Sequence, residues 1–154
     1  MKVLNKVVLG VAAMTLLVAC GPSKVSFEKF QEDVRAASAK DPNYVKAVVK
    51  GSAKAGIGGL NMEAKFDHVF EKKDSGWEMT KGDAVTGVAA LVYVNERAAL
   101  YAGQENENAT YYSGSGFKVE LKGDDGTSTY VFDAYGYVTS VKGDGVSVTV
   151  KWSK

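Results

Sequence analysis

The side chains able to do chemistry in this chain are few, and none has a chemical partner beside it in the sequence. His68 is the single histidine. It lies between Phe66 and Phe70 in an alternating run, so a strand carries all three on one apolar face, where an imidazole can act as a base or touch a ligand. Phe66, His68 and Phe70 are therefore the candidate ligand-contacting residues. A triad or a zinc centre needs more than this, because there is no second histidine and the one thiol, Cys20, lies far away in the sequence. Asp124-Asp125-Gly126 and Asp144-Gly145 offer hard oxygen ligands, but EF-hand spacing is absent and Asp-Gly is first of all a hairpin turn signal. Asp33, Glu63 and Glu78 would have to pair for glycosidase chemistry, and no spacing joins them. Gly56-Ile57-Gly58-Gly59 fits neither the dinucleotide nor the P-loop fingerprint; between two strands it reads as a turn. Asn108-Ala109-Thr110 has the form of a glycosylation sequon. The set Tyr111, Tyr112, Tyr130, Tyr135, Tyr137 and Trp152 can make a binding surface, since such rings give contact area at low entropic cost, although strands favour them too. With no convergent polar set, the expectation is a protein without a metal, a cofactor or a catalytic site.

Cys20 has a clearer context. Lys2 and Lys6 precede an apolar run from Val7 to Leu17, then Leu17-Val18-Ala19-Cys20 and Gly21-Pro22 follow. A charged n-region, a short apolar h-region and small residues before a cleavage point are the parts of a secretory signal. The run is shorter than the roughly 20 residues of a spanning helix. The segment resembles a bacterial lipoprotein signal peptide ending in a lipobox. That resemblance implies removal of residues 1–19, a diacylglycerol on the Cys20 thiol and an acyl chain such as palmitate on its amine. It also implies a membrane partner through this anchor, on the extracytoplasmic face of the cell membrane or the outer membrane. Gly21 after Cys20, in place of Asp, favours the outer membrane where there are two. Buried acyl chains contribute roughly 0.8 kcal/mol per methylene, so two of them hold a protein effectively permanently.

Removing residues 1–19 from the 154 leaves 135, enough for one domain with its own core. The 19 basic side chains lose Lys2 and Lys6, leaving 17 against 18 acidic ones. A balance of minus one speaks against nucleic acid as a partner, which favours a clustered basic excess. Once Cys20 is lipidated no thiol remains for a disulfide, so the core alone must hold the fold.

Residues 20–25 read as a lipidated tether and 26–154 as the domain. Ser26 caps a helix whose apolar face is Phe27, Phe30, Val34 and Ala37, stopped by Asp41-Pro42 after about four turns. From Tyr44 the period becomes two: Val45, Ala47 and Val49 lead to the glycine turn. A strand over Asn61 to Lys72 follows, and Asp74-Ser75-Gly76 turns into one carrying Trp77 and Met79. Residues 84–102 read as a second, mostly buried helix capped by Asp83, with Val85, Val88, Ala89, Val92, Ala99 and Leu100 as its face and Gly103 at its end. Gln104 to Gly116 is a polar loop with room for one short strand. Four hairpin-linked strands close the chain, built on Phe117–Leu121, Tyr130–Phe132, Tyr137–Val141 and Val146–Trp152.

The expected fold is α+β, with two helices packed on a bent antiparallel meander sheet of seven to eight strands. The order of helix, three strands, helix, four or five strands is compatible with a twofold repeat. In that element order the chain resembles the half-barrel lipoproteins of the LolA, LolB and LppX kind, which implies a concave sheet able to hold lipid. Two functions follow as expectations. One is a non-catalytic, membrane-anchored binding or structural component of the envelope; the other is a carrier or sensor of a lipid or other hydrophobic ligand. They differ in the space under the helices: an adaptor fills it with Phe27, Phe30, Val92 and Leu100, whereas a carrier leaves an apolar cavity of several hundred cubic ångströms.

Overall fold

The computed structural model describes residues 21–57 and 59–154. The expected signal peptide and the expected lipidation at Cys20 lie outside the described residues, as does Gly58 of the glycine turn. The chain runs β1 (Ser23–Val25), α1 (Phe27–Ser38), β2 (Lys46–Ile57), β3 (Leu60–Lys73), β4 (Gly76–Lys81), α2 (Ala84–Val94) and a 3-10 turn (Ala98–Tyr101). Then come β5 (Ala109–Ser113), β6 (Phe117–Gly123), β7 (Gly126–Phe132), β8 (Val138–Gly143) and β9 (Val146–Ser153). All nine strands join one antiparallel sheet in the order β1-β5-β6-β7-β8-β9-β2-β3-β4. The fold is α+β as expected, with one or two strands more than the pattern implied.

The extra strands come from segments read as tether and loop. Ser23–Val25 pairs with Tyr111–Ser113, so only the residues before Ser23 are left to act as a tether. Three residues carry too little pattern to show period two, and it is the facing β5 that makes them a strand. The two-residue Asp144-Gly145 turn is as the sequence reads: both residues have positive φ, 47° and 75°, as a tight hairpin between β8 and β9 demands.

Ser26 caps α1 by accepting the Lys29 amide hydrogen on its hydroxyl at 3.2 Å. Phe30, Val34 and Ala37 are buried, and Phe30 meets the rings of Tyr111 on β5 and Phe117 on β6. The core continues along the inner face of the sheet through Ala47, Val49, Phe66, Phe70, Val119, Phe132, Val138, Val148 and Val150. Gly51 lets β2 and β9 approach at a point where a Cβ would collide with the Ser147 carbonyl.

The second helix differs from expectation in length and in orientation. It ends at Val94, because Arg97 takes an extended conformation, bridges to Tyr137 and hands the chain to the 3-10 turn. Its buried side is the small one, Gly87 and Ala90 with Val94. The face expected to point inward points outward instead: Val85, Val88 and Val92 are 85, 74 and 59 % exposed, and Leu100 on the 3-10 turn is exposed too. The sheet beneath explains the inversion. Phe66, His68 and Phe70 already fill that space, so only residues with little or no side chain fit between helix and sheet. A Cβ on Gly87 would stand 2.6 Å from the Met79 sulfur.

Candidate functional site

Phe66, His68 and Phe70 share the inner face of β3, as alternation requires, and all three are buried. Their contacts are structural. The His68 Nδ1 accepts the Asp67 amide hydrogen at 3.1 Å, while Nε2 lies 3.0 Å from both the Asp83 carbonyl and the Thr86 hydroxyl. An acceptor at Nδ1 puts the proton on Nε2, which then donates toward the first turn of α2. Asp83 is the cap of that helix, its carboxylate accepting the Val85 and Thr86 amides at 2.6 and 3.4 Å. His68 therefore fastens the start of α2 to the sheet, stacked against Phe70 and edge-on to Phe66. Gly82, at φ 128°, gives the ring its room: a Cβ there would collide with the imidazole. With both nitrogens occupied and the ring closed off from solvent, His68 has no free lone pair for a base or a metal.

Two of the three candidate carboxylates are engaged. Asp33 binds Lys29 at 2.7 Å and accepts the Ser113 hydroxyl at 2.7 Å, Glu78 accepts from Ser75, and Glu63 is exposed near the β2–β3 hairpin. Asp124, Asp125 and Asp144 do line one hollow at the ends of β6 and β8. Among the described residues, however, no group of three His, Cys, Asp or Glu side chains is arranged to hold a metal ion. The aromatic set divides. Tyr111 belongs to the core under α1, Tyr112 stacks with Lys118 on the far side of the sheet, and Tyr130 meets Tyr101. Tyr135, Tyr137 and Trp152 join Tyr44, whose hydroxyl donates to Asp133 at 2.7 Å. Burial, reinforced by the Asp133 carboxylate, pushes the Tyr44 hydroxyl far above its ordinary pKa, so it stays a donor.

An apolar feature with room for a ligand is a cleft that the sequence pattern does not mark. The inner face of β3 continues past the end of the helix cover through Ala64 and Met62 to Leu60, and exposure rises from 2 % at His68 to 61 % at Met62 and 70 % at Leu60. Opposite stand Val85, Ala89, Val92 and Tyr93 of α2. Between them, with Ala53 from β2 and Phe66 as the floor, lies an open apolar cleft of about 460 Å³. Volumes of this order hold small ligands, typically about 300–1,000 Å³. Its polar groups are Glu63, the Tyr93 hydroxyl and the Thr86 hydroxyl already engaged by His68. Burial raises the Tyr93 hydroxyl above its ordinary pKa, so that group is neutral. The helical valine face was visible in the sequence, but its periodicity could not say which side of the helix the sheet would take.

No helix among the described residues is long and apolar enough to cross a membrane. Compared with known proteins, the chain matches no family model, no curated protein and no solved structure.

Proposed function

We propose that this protein is an extracytoplasmic lipoprotein anchored through Cys20, and that its domain binds an extended hydrocarbon chain, such as a lipid acyl chain, in the cleft between α2 and the β2–β3 hairpin. The observation that supports binding is the cleft itself: about 460 Å³, walled by Met62, Ala64, Phe66, Val85, Ala89 and Val92, with almost nothing to satisfy a polar ligand. Of the residues expected to fill an adaptor's interior, Phe30 is buried in the core and Phe27 packs against it, whereas Val92 and Leu100 are exposed. Hydrocarbon is the occupant such walls favour, since each methylene removed from water contributes about 0.8 kcal/mol and leaves no donor or acceptor unpaired. No reaction is part of this reading, because both His68 nitrogens are engaged within the fold and Asp33 is bound to Lys29 and Ser113. The anchor rests on the lipobox pattern from Leu17 to Cys20.

Mass spectrometry of an organic extract of the purified full-length protein, together with titration by a fluorescent fatty acid, tests the cleft. A non-covalent lipid and saturable dye binding are expected, with affinity reduced about tenfold or more in Val92→Glu, a substitution at an exposed site that leaves the melting temperature nearly unchanged. Absence of both lipid and dye binding would overturn the carrier reading and leave a structural envelope component.

A further inference from the structure

A second set of hollows lies under the C-terminal half of α1, where none of the functions considered above requires one. A hollow of about 350 Å³ is lined by Ser38, Lys40, Asp41, Arg97, Tyr135 and Tyr137. It shares Ser38, Ala39 and Ala99 with a neighbour of about 500 Å³ that adds Arg35, so the two form one trough between α1 and the 3-10 turn. Three cations and one carboxylate therefore face the trough in a chain whose formal charge is only +1. None of Arg35, Lys40 and Arg97 takes part in the ion pairs among the described residues.

Of the nearby acids, Glu96 and Asp133 act on the Arg97 guanidinium against the effect of its burial. Asp41 accepts the Asn43 amide hydrogen at 2.7 Å, and Asp133 accepts the Tyr44 hydroxyl and the Tyr135 and Tyr137 amides. Arg97 is the fixed member of the set. Its Nη1 donates to the Val94 and Glu96 carbonyls at 2.7 and 2.9 Å, and its guanidinium lies 3.7 Å over the Tyr137 ring and 5.2 Å from that of Trp152. A guanidinium held flat on aromatic rings is pre-organised, and its remaining N–H groups form the fork that matches an oxyanion. Lys40 and Arg35, on exposed stems, supply further positive charge beside it.

One residue of the trough, Lys40, also faces a separate hollow nearer the start of the described chain. Lys40 lines this third hollow with Val25, Lys29 and Gly114, and Gly114 lies against Pro22 and Gly21. We propose that the Arg35–Lys40–Arg97 trough binds a phosphate group, presented either by an anionic phospholipid headgroup or by a free phosphate ester. The headgroup source rests on the anchor reading; the phosphate chemistry does not. Such a site would fix the orientation of the domain on the membrane surface, where a lipid anchor alone leaves it free to swivel.

The test uses the full-length protein in neutral detergent micelles, with tryptophan fluorescence as readout because Trp152 adjoins Arg97. Inorganic phosphate, then glycerol phosphate, then micelles doped with phosphatidylglycerol are titrated against chloride at matched ionic strength. A saturable change with at least one phosphate probe and none with chloride is expected. Arg35→Gln and Lys40→Gln should each weaken it about five- to tenfold, and Arg97→Lys, which keeps the charge but loses the fork, by more. Arg35 and Lys40 are exposed, so their loss reads binding and not folding. A response to phosphatidylglycerol that vanishes in Cys20→Ser, while the inorganic phosphate response survives, assigns the headgroup as source. A response to the soluble phosphates alone assigns a free ester. A response equal to that of chloride, or one indifferent to both glutamine variants, overturns the site.

Discussion

The ring of His68 meets two groups of α2 through Nε2 and its own strand through Nδ1, and it is packed between two phenylalanines. Replacing it with alanine opens a cavity and leaves the Thr86 hydroxyl without its buried partner, costs that together come to about 3 kcal/mol. Urea denaturation of His68→Ala should show that loss, with the far-ultraviolet spectrum weakened at helix wavelengths as the start of α2 loosens. A variant as stable as the parent would mean that the ring does not fasten the helix. The position of His68 on an apolar face was legible from the alternation of Phe66, His68 and Phe70. What occupies its nitrogens was not, because Asp83 and Thr86 reach it only after β4 and the Gly82 bend bring the helix back over the sheet. The same holds for Arg97, which no motif marks and whose aromatic neighbours are Tyr137, just before β8, and Trp152 on β9.

Between elements, the informative contrast is between α1 and α2. For α1, pattern and packing agree: Phe30 and Val34 point at the sheet, and Ser26 caps the start. Its exposed side is tied down by Asp33, which joins Lys29 on its own helix to Ser113 on β5. The Lys29 hydrogen bond, aided by Ser113, holds the Asp33 carboxyl below the usual aspartate range against the opposing effect of burial. A depressed folded-state pKa means that the unfolded chain takes up the proton first as pH falls. The stabilisation is therefore complete above the ordinary aspartate pKa of about 3.9 and is lost as pH falls through the lower folded value. The same contact raises the Lys29 pKa, so its share persists below the ordinary lysine value and fades only as pH rises through the raised one. Urea midpoints measured from pH 7 down to pH 2 should fall less steeply below pH 4 in Asp33→Asn than in the parent, and parallel curves would refute the coupling. For α2 the pattern misleads, since a helix apolar all round has no polar face to declare which side is solvent. The decision falls to volume: Gly87 lies against His68 and Met79 where no larger residue fits, and Val85, Val88 and Val92 turn outward while Val94 is buried at the helix end. That inversion, invisible in the hydropathy of the segment, is what creates the cleft.

Across the whole molecule, β1 and β4 are the two edges of the sheet, so the chain enters from Cys20 at one edge and the cleft lies by the other. Six to seven inter-strand steps of about 4.8 Å separate β1 from β2 and β3, about 29–34 Å along the sheet, whereas the three residues from Cys20 to Ser23 span at most about 10 Å. On the proposed function, anchor and cleft are thus separate parts of the chain: the first would set where the domain sits, the second what it holds. The number of strands was nearly legible because turn signals punctuate the last third of the chain. Their order was not, since β2 closes onto β9 across almost the whole sequence, and no local pattern reports a pairing of that range. Separability makes the anchor testable without disturbing the rest. Cys20→Ser should move the protein from the membrane pellet to the supernatant on ultracentrifugation. Its melting temperature and fluorescent fatty acid affinity should equal those of the parent, because among the described residues the core and the cleft are built from Val25 onward. Retention in the pellet would refute lipidation at Cys20, and release with loss of fatty acid binding would show that the cleft depends on the anchor after all.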